Sequence, residues 1–526
     1  MRTGAGLQRH RPLVIAIAAA VAVAGTLAAI HYARLGLTLA HYDARAHLVV
    51  ARRILDSLTP GWQQIGAVWL PLPHVLNMFP VQVDAWYRTG LSAVVFSVLS
   101  MALASGSLAS LILRTTGSIV AAVTGAALLL LNPNVLYLQS TPMTEPLLFG
   151  LTLFSIAATA SWVEGLLPPA LDNARARQGG SHPATTSSSL WLPPLGGSTL
   201  WPGLGLAAAC LTRYEAWPIT AAILALAFVV LVRRGFRWSD SLRQVAHLAL
   251  WPAVAIAIFS ANSRWVVGTW FVPSGFFEPN NTEALGRPLV AWRQVREGLT
   301  RLAGDTLPRA GYVGAALVAW ACYRSRERAP LLLLLSLLAA AVIPIAAYVQ
   351  GHPFRIRYDL PLVIACASLG GAGIAVLWKP LRIPLAVALL AVSAWEARPL
   401  DREAPLVRES QREARNREGR RAITSYLEAH YDGRGIMMSM GSLGHYMHDL
   451  SLAGFHIKDF LHEGNGEIWT FAMLRPRGHA DWLIIEGSAE GGDALHHAAQ
   501  RANWLAGFEK VAEGGGARLY RATDSR

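Results

Sequence analysis

Four short stretches of this chain carry the residue types that chemistry needs. His41-Tyr42-Asp43-Ala44-Arg45-Ala46-His47 sets one carboxylate among hydrogen-bonding neighbours, directly after an apolar run. Ser140-Thr-Pro-Met-Thr-Glu145-Pro146 opens a second apolar run with a glutamate, and Thr212-Arg213-Tyr214-Glu215 is a charged break between two more. His352-Pro-Phe-Arg355-Ile-Arg357-Tyr358-Asp359-Leu-Pro361 holds two arginines one residue apart. In an extended segment alternate side chains point the same way, so Arg355 and Arg357 would aim at one spot. Two guanidiniums so placed suit a phosphate or pyrophosphate, held by charge-assisted bidentate bonds. A carboxylate at a membrane–water boundary suits proton abstraction.

Each stretch also has a plainer reading. Asp43 could pair with Arg45 or cap the helix that follows it. Glu145 in Thr-x-Glu-Pro has good helix-initiation chemistry, because carboxylates favour helix N-termini. Residues 212–215 read equally as a tight external turn, and Arg355 with Arg357 as a contact for lipid headgroups. What the four share is their setting. Ionisable groups at the edge of apolar spans are costly unless used, and these all fall on one side. Carboxylates and paired arginines on one face of a many-span domain suit a reaction on a phosphate-bearing lipid at the outer leaflet.

The elements that must position these groups are membrane spans. The chain has 526 residues, 53% hydrophobic and 15% charged, against roughly 25% charged in a typical soluble domain. That composition excludes an ordinary cytosolic enzyme. The net charge of +13 does not indicate nucleic acid, since only three lysines occur (Lys379, Lys458, Lys510) and the arginines are scattered among apolar runs. Spans need about 20 mostly apolar residues. The candidates are 12–35, 86–112, 118–139, 145–163, 199–212, 216–232, 245–268, 310–323, 330–350, 359–378 and 382–397, about eleven in all. The apolar stretch Leu13–Ile30 is too long for a signal-peptide core and reads as a retained first span. Cys210, Cys322 and Cys366 lie inside apolar segments without CxxC spacing, so no disulfide framework or zinc site follows.

Arginines in the N-terminal tail and every second loop place those on the cytoplasmic side, and an odd span count puts the C-terminal tail outside. Residues 36–85 contain Pro60-Gly61-Trp62 and Trp69-Leu-Pro-Leu-Pro-His74, Trp/Pro-rich amphipathic material that reads as lying along the interface. The Gly/Ser/Thr/Pro-rich stretch 171–199 reads as a disordered cytoplasmic loop without chemistry. Residues 398–421 turn to dense alternating charge, a solvated linker helix. Residues 422–526 follow as a small soluble α/β domain, with strands at Gly435–Ser439, Trp482–Glu486 and Arg518–Ala522 and a helix at Ala494–Leu505. His445, His448 and Asp449 form at most a loose metal set there, and acceptor binding is the more useful role for this domain.

An acidic residue just after span one, followed by amphipathic juxtamembrane helices, resembles the GT-C superfamily of glycosyltransferases. The stretch Arg355 to Pro361 resembles an element of its protein O-mannosyltransferase and lipid A aminoarabinose transferase branches. The resemblance covers roughly residues 12–397 and implies a GT-C type polytopic membrane fold with a small external C-terminal domain. It departs from the pattern in two places. Many relatives carry Asp-Asp or Asp-Glu where this chain has Asp43-Ala44, and Glu145 stands where Asp is more usual.

The resemblance implies a polyprenyl-phosphate-linked sugar donor and transfer with inversion to an acceptor glycan, lipid or protein. It makes Asp43 the base, with Arg355 and Arg357 neutralising the departing phosphate and Arg213 a third partner. Glu145 and Glu215 would orient the acceptor or buffer the arginines, and Tyr358 and His74 complete the substrate-binding set. No metal ligands and no cofactor are assigned, and a divalent cation is compatible with the carboxylates. The protein is expected in the inner membrane, N-terminus cytoplasmic and C-terminal domain periplasmic or extracellular. The rival is a transporter or flippase of lipid-linked saccharides. Transporters place ionisable groups near the bilayer midplane within pseudo-symmetric halves, whereas here the charges sit at span ends and no internal repeat is evident.

Overall fold

A computed structural model describes residues 3–166, 198–270, 280–440, 443–489 and 492–523. Most of the loop expected at 171–199 lies outside these residues. A helix occupies each of the eleven apolar segments. Six are long and apolar enough to cross a bilayer by themselves: His10–Arg34, Leu91–Thr116, Glu145–Gly165, Ala216–Arg233, Trp238–Val266 and Arg326–Val349. Of the others, Thr306–Arg324 and Lys379–Glu396 have the length but are less apolar, and the rest are shorter or interrupted. Segment 118–139 becomes Ile119–Leu131 and Pro133–Leu138 because Asn132 stops one helix and caps the next, its side chain accepting from the N–H groups of Asn134 and Val135. The leucine-rich run Arg326–Ala341 winds as a 3₁₀-helix before Val342–Val349 continues as α-helix. At about 2.0 Å per residue the tighter coil gains length for the same number of residues.

The centre of the bundle is the helix Leu360–Ile374, every residue of which is buried. Small residues allow this. A Cβ on Gly314 would stand 2.2 Å from the carbonyl oxygen of Leu369, and one on Gly371 only 2.4 Å from Cα of Gly125. Backbones meet directly there, which is how helices gain packing contact where lipid supplies no hydrophobic drive.

The first helix, α1 (Thr3–Arg34), leads into α2 (Tyr42–Arg53), and residues 54–89 follow as short helical turns, among them Leu72–Asn77 and Asp84–Thr89. None is long enough to cross a bilayer. Trp62, Phe79 and Trp86 are exposed, as interfacial segments require.

Residues 436–522 build a five-stranded sheet in the order β2-β1-β3-β5-β4, from β1 (Ile436–Met438), β2 (Phe460–Leu461), β3 (Trp482–Glu486), β4 (Phe508–Gly514) and β5 (Ala517–Ala522). β1, β2 and β3 pair in parallel, and β3, β5 and β4 antiparallel. β3 is buried along its whole length, the central position that an uninterrupted apolar run dictates. The sequence missed β4 because its edge position leaves Phe508–Gly514 largely polar, with no alternation to read. The helix expected over Ala494–Leu505 stops at Ala499.

The linker helix also departs from expectation. It runs Pro405–His430, beyond the charged block, and its first turn is not solvated. Leu406 and Val407 are buried, and the Leu406 N–H donates to Oδ1 of Asn134 at 3.1 Å. Alternating charge masked this turn, which packs against the membrane helices and carries Glu409 inward.

Candidate active site

Asp43 stands in the first turn of α2, where the chain leaves span one. The Asp43 N–H donates to Nδ1 of the capping His41 at 3.1 Å, and every residue from Asp43 to Arg52 is buried. A helix this polar is buried because other elements cover it on all sides. One of them is the segment 352–359, which brings Arg357 into an ion pair with Asp43. Asp43 therefore pairs neither with Arg45 nor with solvent. Burial disfavours its charge, but Arg357 outweighs that penalty and holds the carboxyl well below the usual carboxylate range. Burial likewise opposes charge on Arg357, and Asp43 overcomes it.

Residues Ile356–Asp359 form a single 3₁₀ turn, not the extended segment the arginine spacing suggested. Arg355 and Arg357 nevertheless act on common neighbours, since both bear on the Tyr42 phenol and on Glu409. The Arg357 guanidinium lies 5.8 Å from the Tyr358 ring centre. Glu409 reaches His41 Nε2 at 3.5 Å, and Arg357 Nη1 is 3.5 Å from the same nitrogen. A chain Glu409–His41–Arg357–Asp43 thus links the linker helix to α2. Glu409 was hidden in the sequence among the charges of the linker.

Glu145, Arg213 and Glu215 make a second, adjoining cluster. Arg213 lies 3.1 Å from Glu145 and 2.8 Å from Glu215, and it donates to Thr144 Oγ1 at 3.0 Å. Glu145 opens its helix as the sequence implied, yet it is fully buried and its task is Arg213. Arg213 is consequently matched by two carboxylates. The two clusters are electrostatic neighbours, because Glu145 acts on Arg357 and Arg357 on Arg213.

His74 meets His47, with Nε2 and Nδ1 3.1 Å apart beneath the Trp69 ring. Burial pushes His47 down to about 3 and His74 well below its ordinary value, so both are neutral near pH 7. His74 supports the helix behind Asp43.

In the C-terminal domain, His448 Nδ1 comes within 3.9 Å of Asp449 Oδ1, but the two do not build a metal set with His445. His448 Nε2 lies 3.1 Å from the Tyr87 carbonyl oxygen, while Asp449 accepts from Arg45. Among the described residues no group of three metal-ligating side chains occurs.

Against Phe354 opens a polar cleft of about 530 Å³, lined also by Asn281, Arg293, Gln294, Glu297 and Arg301 among others. Four of these lie on one stripe of the helix Pro288–Ala303. Asn281 and Gln294 exchange amide hydrogen bonds of 2.9 and 3.2 Å, which fixes one wall. Phe354, adjacent to Arg355, forms another.

No protein-family model matches this chain, and no curated protein does. Solved structures do. The crystal structure of ArnT from Cupriavidus metallidurans bound to undecaprenyl phosphate superposes with a TM-score of 0.57 at 14% identity, over 98% of each chain. Its apo form gives 0.50 at 13% identity, over 94% of this chain and 97% of that one. The likeness runs from the first span through the C-terminal sheet, and the GT-C resemblance read from the sequence holds at the level of architecture: this chain has the ArnT-like polytopic membrane fold.

Proposed function

We propose that the protein is a glycosyltransferase that moves a sugar from a polyprenyl-phosphate donor to an acceptor at the outer face of the membrane. The observation that carries this reading is the buried Asp43–Arg357 pair at the head of the bundle, with Arg355 beside it. The shared fold supports it, since ArnT was crystallised with undecaprenyl phosphate. Span-end placement of the charges favours transfer over transport. Glu145 is the first residue of its helix, Glu215 stands immediately before the helix Ala216–Arg233, and Arg357 lies in the turn before Leu360–Ile374.

Paired with Arg357, Asp43 is a weak base, and the reaction has to release it. The donor phosphate competes for the guanidinium, and as Arg357 and Arg355 engage it Asp43 loses its strongest counter-charge and gains basicity. The acceptor hydroxyl then gives its proton to an Asp43 carboxylate oxygen. Its oxygen bonds the anomeric carbon as the bond from that carbon to the phosphate breaks. The electron pair leaves with the lipid phosphate, and the arginines hold the charge that builds there. One displacement with one base inverts the anomeric centre.

The polar cleft beside Phe354 is where an acceptor would lie. Arg293→Ala or Gln294→Ala should raise the acceptor KM about tenfold, the scale of one lost polar contact, and leave the donor KM unchanged. Initial rates against each substrate separate the two. The general test is incubation of the purified protein with a panel of radiolabelled polyprenyl-phosphate sugars, following free lipid phosphate. Turnover of one of them is expected, and vectorial movement of intact donor across vesicles without cleavage would replace this reading by transport.

A further inference from the structure

The C-terminal domain is joined to the catalytic segment by more than a tether. One apolar core contains Leu48, Val49 and Ala51 of α2 together with Ile436, Tyr446 and Leu519 of the domain. Ala46 of α2 lies against Gly444, where an added Cβ would stand 3.9 Å from the Ala46 methyl. At the middle of this contact Arg45, 1% exposed, donates from Nη1 to both oxygens of Asp449 at 2.9 Å. Arg417 of the linker helix approaches the same carboxylate at 3.2 Å. Further out, Asp56 accepts from the backbone N–H groups of Ile457 and Lys458, and Asn465 donates to Ser57 and Thr59.

Arg45 lies two residues beyond Asp43, in the same helical turn. A side chain that fixes Arg45 along and around the axis of α2 therefore sets where the Asp43 carboxylate meets Arg357. We propose that Asp449 is a positioning residue for Asp43, acting through Arg45, so that the C-terminal domain is part of the catalytic apparatus and not an acceptor-binding accessory. This rests on the reading of Asp43 as the base.

The physical argument is one of tolerance. Apolar contact in the shared core is non-directional and lets α2 slide by fractions of an ångström, whereas one nitrogen shared between two carboxylate oxygens does not. A misplacement of about 1 Å costs about 10²-fold in rate. The groups facing Asp43 are Arg357 from the 352–359 turn and His41 and His47 from its own segment. Arg355 and Glu409 face the adjoining Tyr42 and His41, and Glu145 acts on Arg357. Of these Arg357 does most to keep the carboxyl ionised, so a shifted α2 raises the pH at which Asp43 takes a proton.

The test uses the full chain in nanodiscs and the donor selected by the panel. Asp449→Asn should lower kcat about 100-fold, keep the donor KM within about threefold, and move the acid limb of kcat to higher pH. The double variant Arg45→Met with Asp449→Leu guards against misfolding: it replaces both members of the buried pair by apolar side chains, which is often neutral for stability where removal of one member is not. It should give the same signature. Asn465→Ala, which loosens the same domain away from α2, should leave kcat within about twofold. Hydrogen exchange along Tyr42–Arg53 and the affinity for undecaprenyl phosphate read the clamp independently of any donor. Faster exchange in both variants is expected. Folded variants with unchanged exchange, kcat and acid limb overturn the proposal, as does a loss confined to KM. If Asp43→Asn is itself active, the reading of the base fails while the exchange result still decides the clamp.

Discussion

Asp43→Asn should abolish most transfer and at the same time tighten binding of the lipid phosphate. Loss of a general base costs about 10²–10⁴ in rate, and Asn keeps the shape of the side chain while it cannot accept the acceptor's proton. The binding effect has the opposite sign because Asp43 occupies Arg357 in the resting site. With its carboxylate gone, a donor phosphate meets a guanidinium that no longer has to be taken from a competitor, and undecaprenyl phosphate should bind about tenfold more tightly. Each tenfold is about 1.4 kcal/mol, small beside coupling energies of about 1.5–7 kcal/mol measured for close charge pairs elsewhere. Removing one partner of a buried pair also destabilises by about 3–5 kcal/mol. The double variant Asp43→Asn with Arg357→Gln should therefore recover stability without recovering turnover. Single-turnover kinetics, lipid-phosphate titration and thermal melts read the three effects. Weaker lipid binding by a folded Asp43→Asn would show that the carboxylate does not compete with phosphate.

Arg357→Ala should be the second severe lesion, with a different signature. It removes the main stabiliser of the departing phosphate, for which single-donor deletions cost about 10²–10³ in kcat, and it weakens the donor as well. Its effect on Asp43 is visible in the pH profile. Asp43 is held ionised mainly by Arg357, so the base is available at neutral pH and is lost only as pH falls below the usual carboxylate range. Without Arg357, burial dominates, the carboxyl titrates higher, and the acid limb of kcat/KM moves to higher pH. Arg357→Lys should hold the limb near its original place, since the charge survives, and still lose rate because the planar fork is gone. An Arg357→Ala profile with an unmoved acid limb would mean that the pair does not govern the titration of Asp43.

The His47–His74 contact joins α2 to the short helix Leu72–Asn77. Burial pushes His47 down to about 3 and holds His74 well below its ordinary value, so neither is charged near pH 7. Their contact supports the fold. His74, expected among the substrate-binding residues, lies in a Trp/Pro-rich segment. The structure buries it against His47.

Much of this architecture follows from the sequence because membrane insertion depends on each segment alone. A run of apolar residues lowers its free energy in lipid whatever else the chain does. The eleven segments, the interfacial stretch after α1, and the strands at 436–438 and 482–486 were therefore readable from local composition. Asp43, Arg357 and Glu145 stood out for the same reason, as charges where charge is costly. What pairs with what was not readable. Asp43 with Arg357, Glu145 with Arg213, and Arg45 with Asp449 join residues far apart in the chain, and each choice depends on which helix ends meet. Glu409 looks like a surface charge in its own segment, and it and Asp449 become half-buried partners only when the linker helix and the C-terminal domain pack onto α2. The sequence by itself determined a polytopic membrane protein with reactive groups at span ends. Only the tertiary structure decided which acid faces which base, because an ion pair is a property of two positions in space.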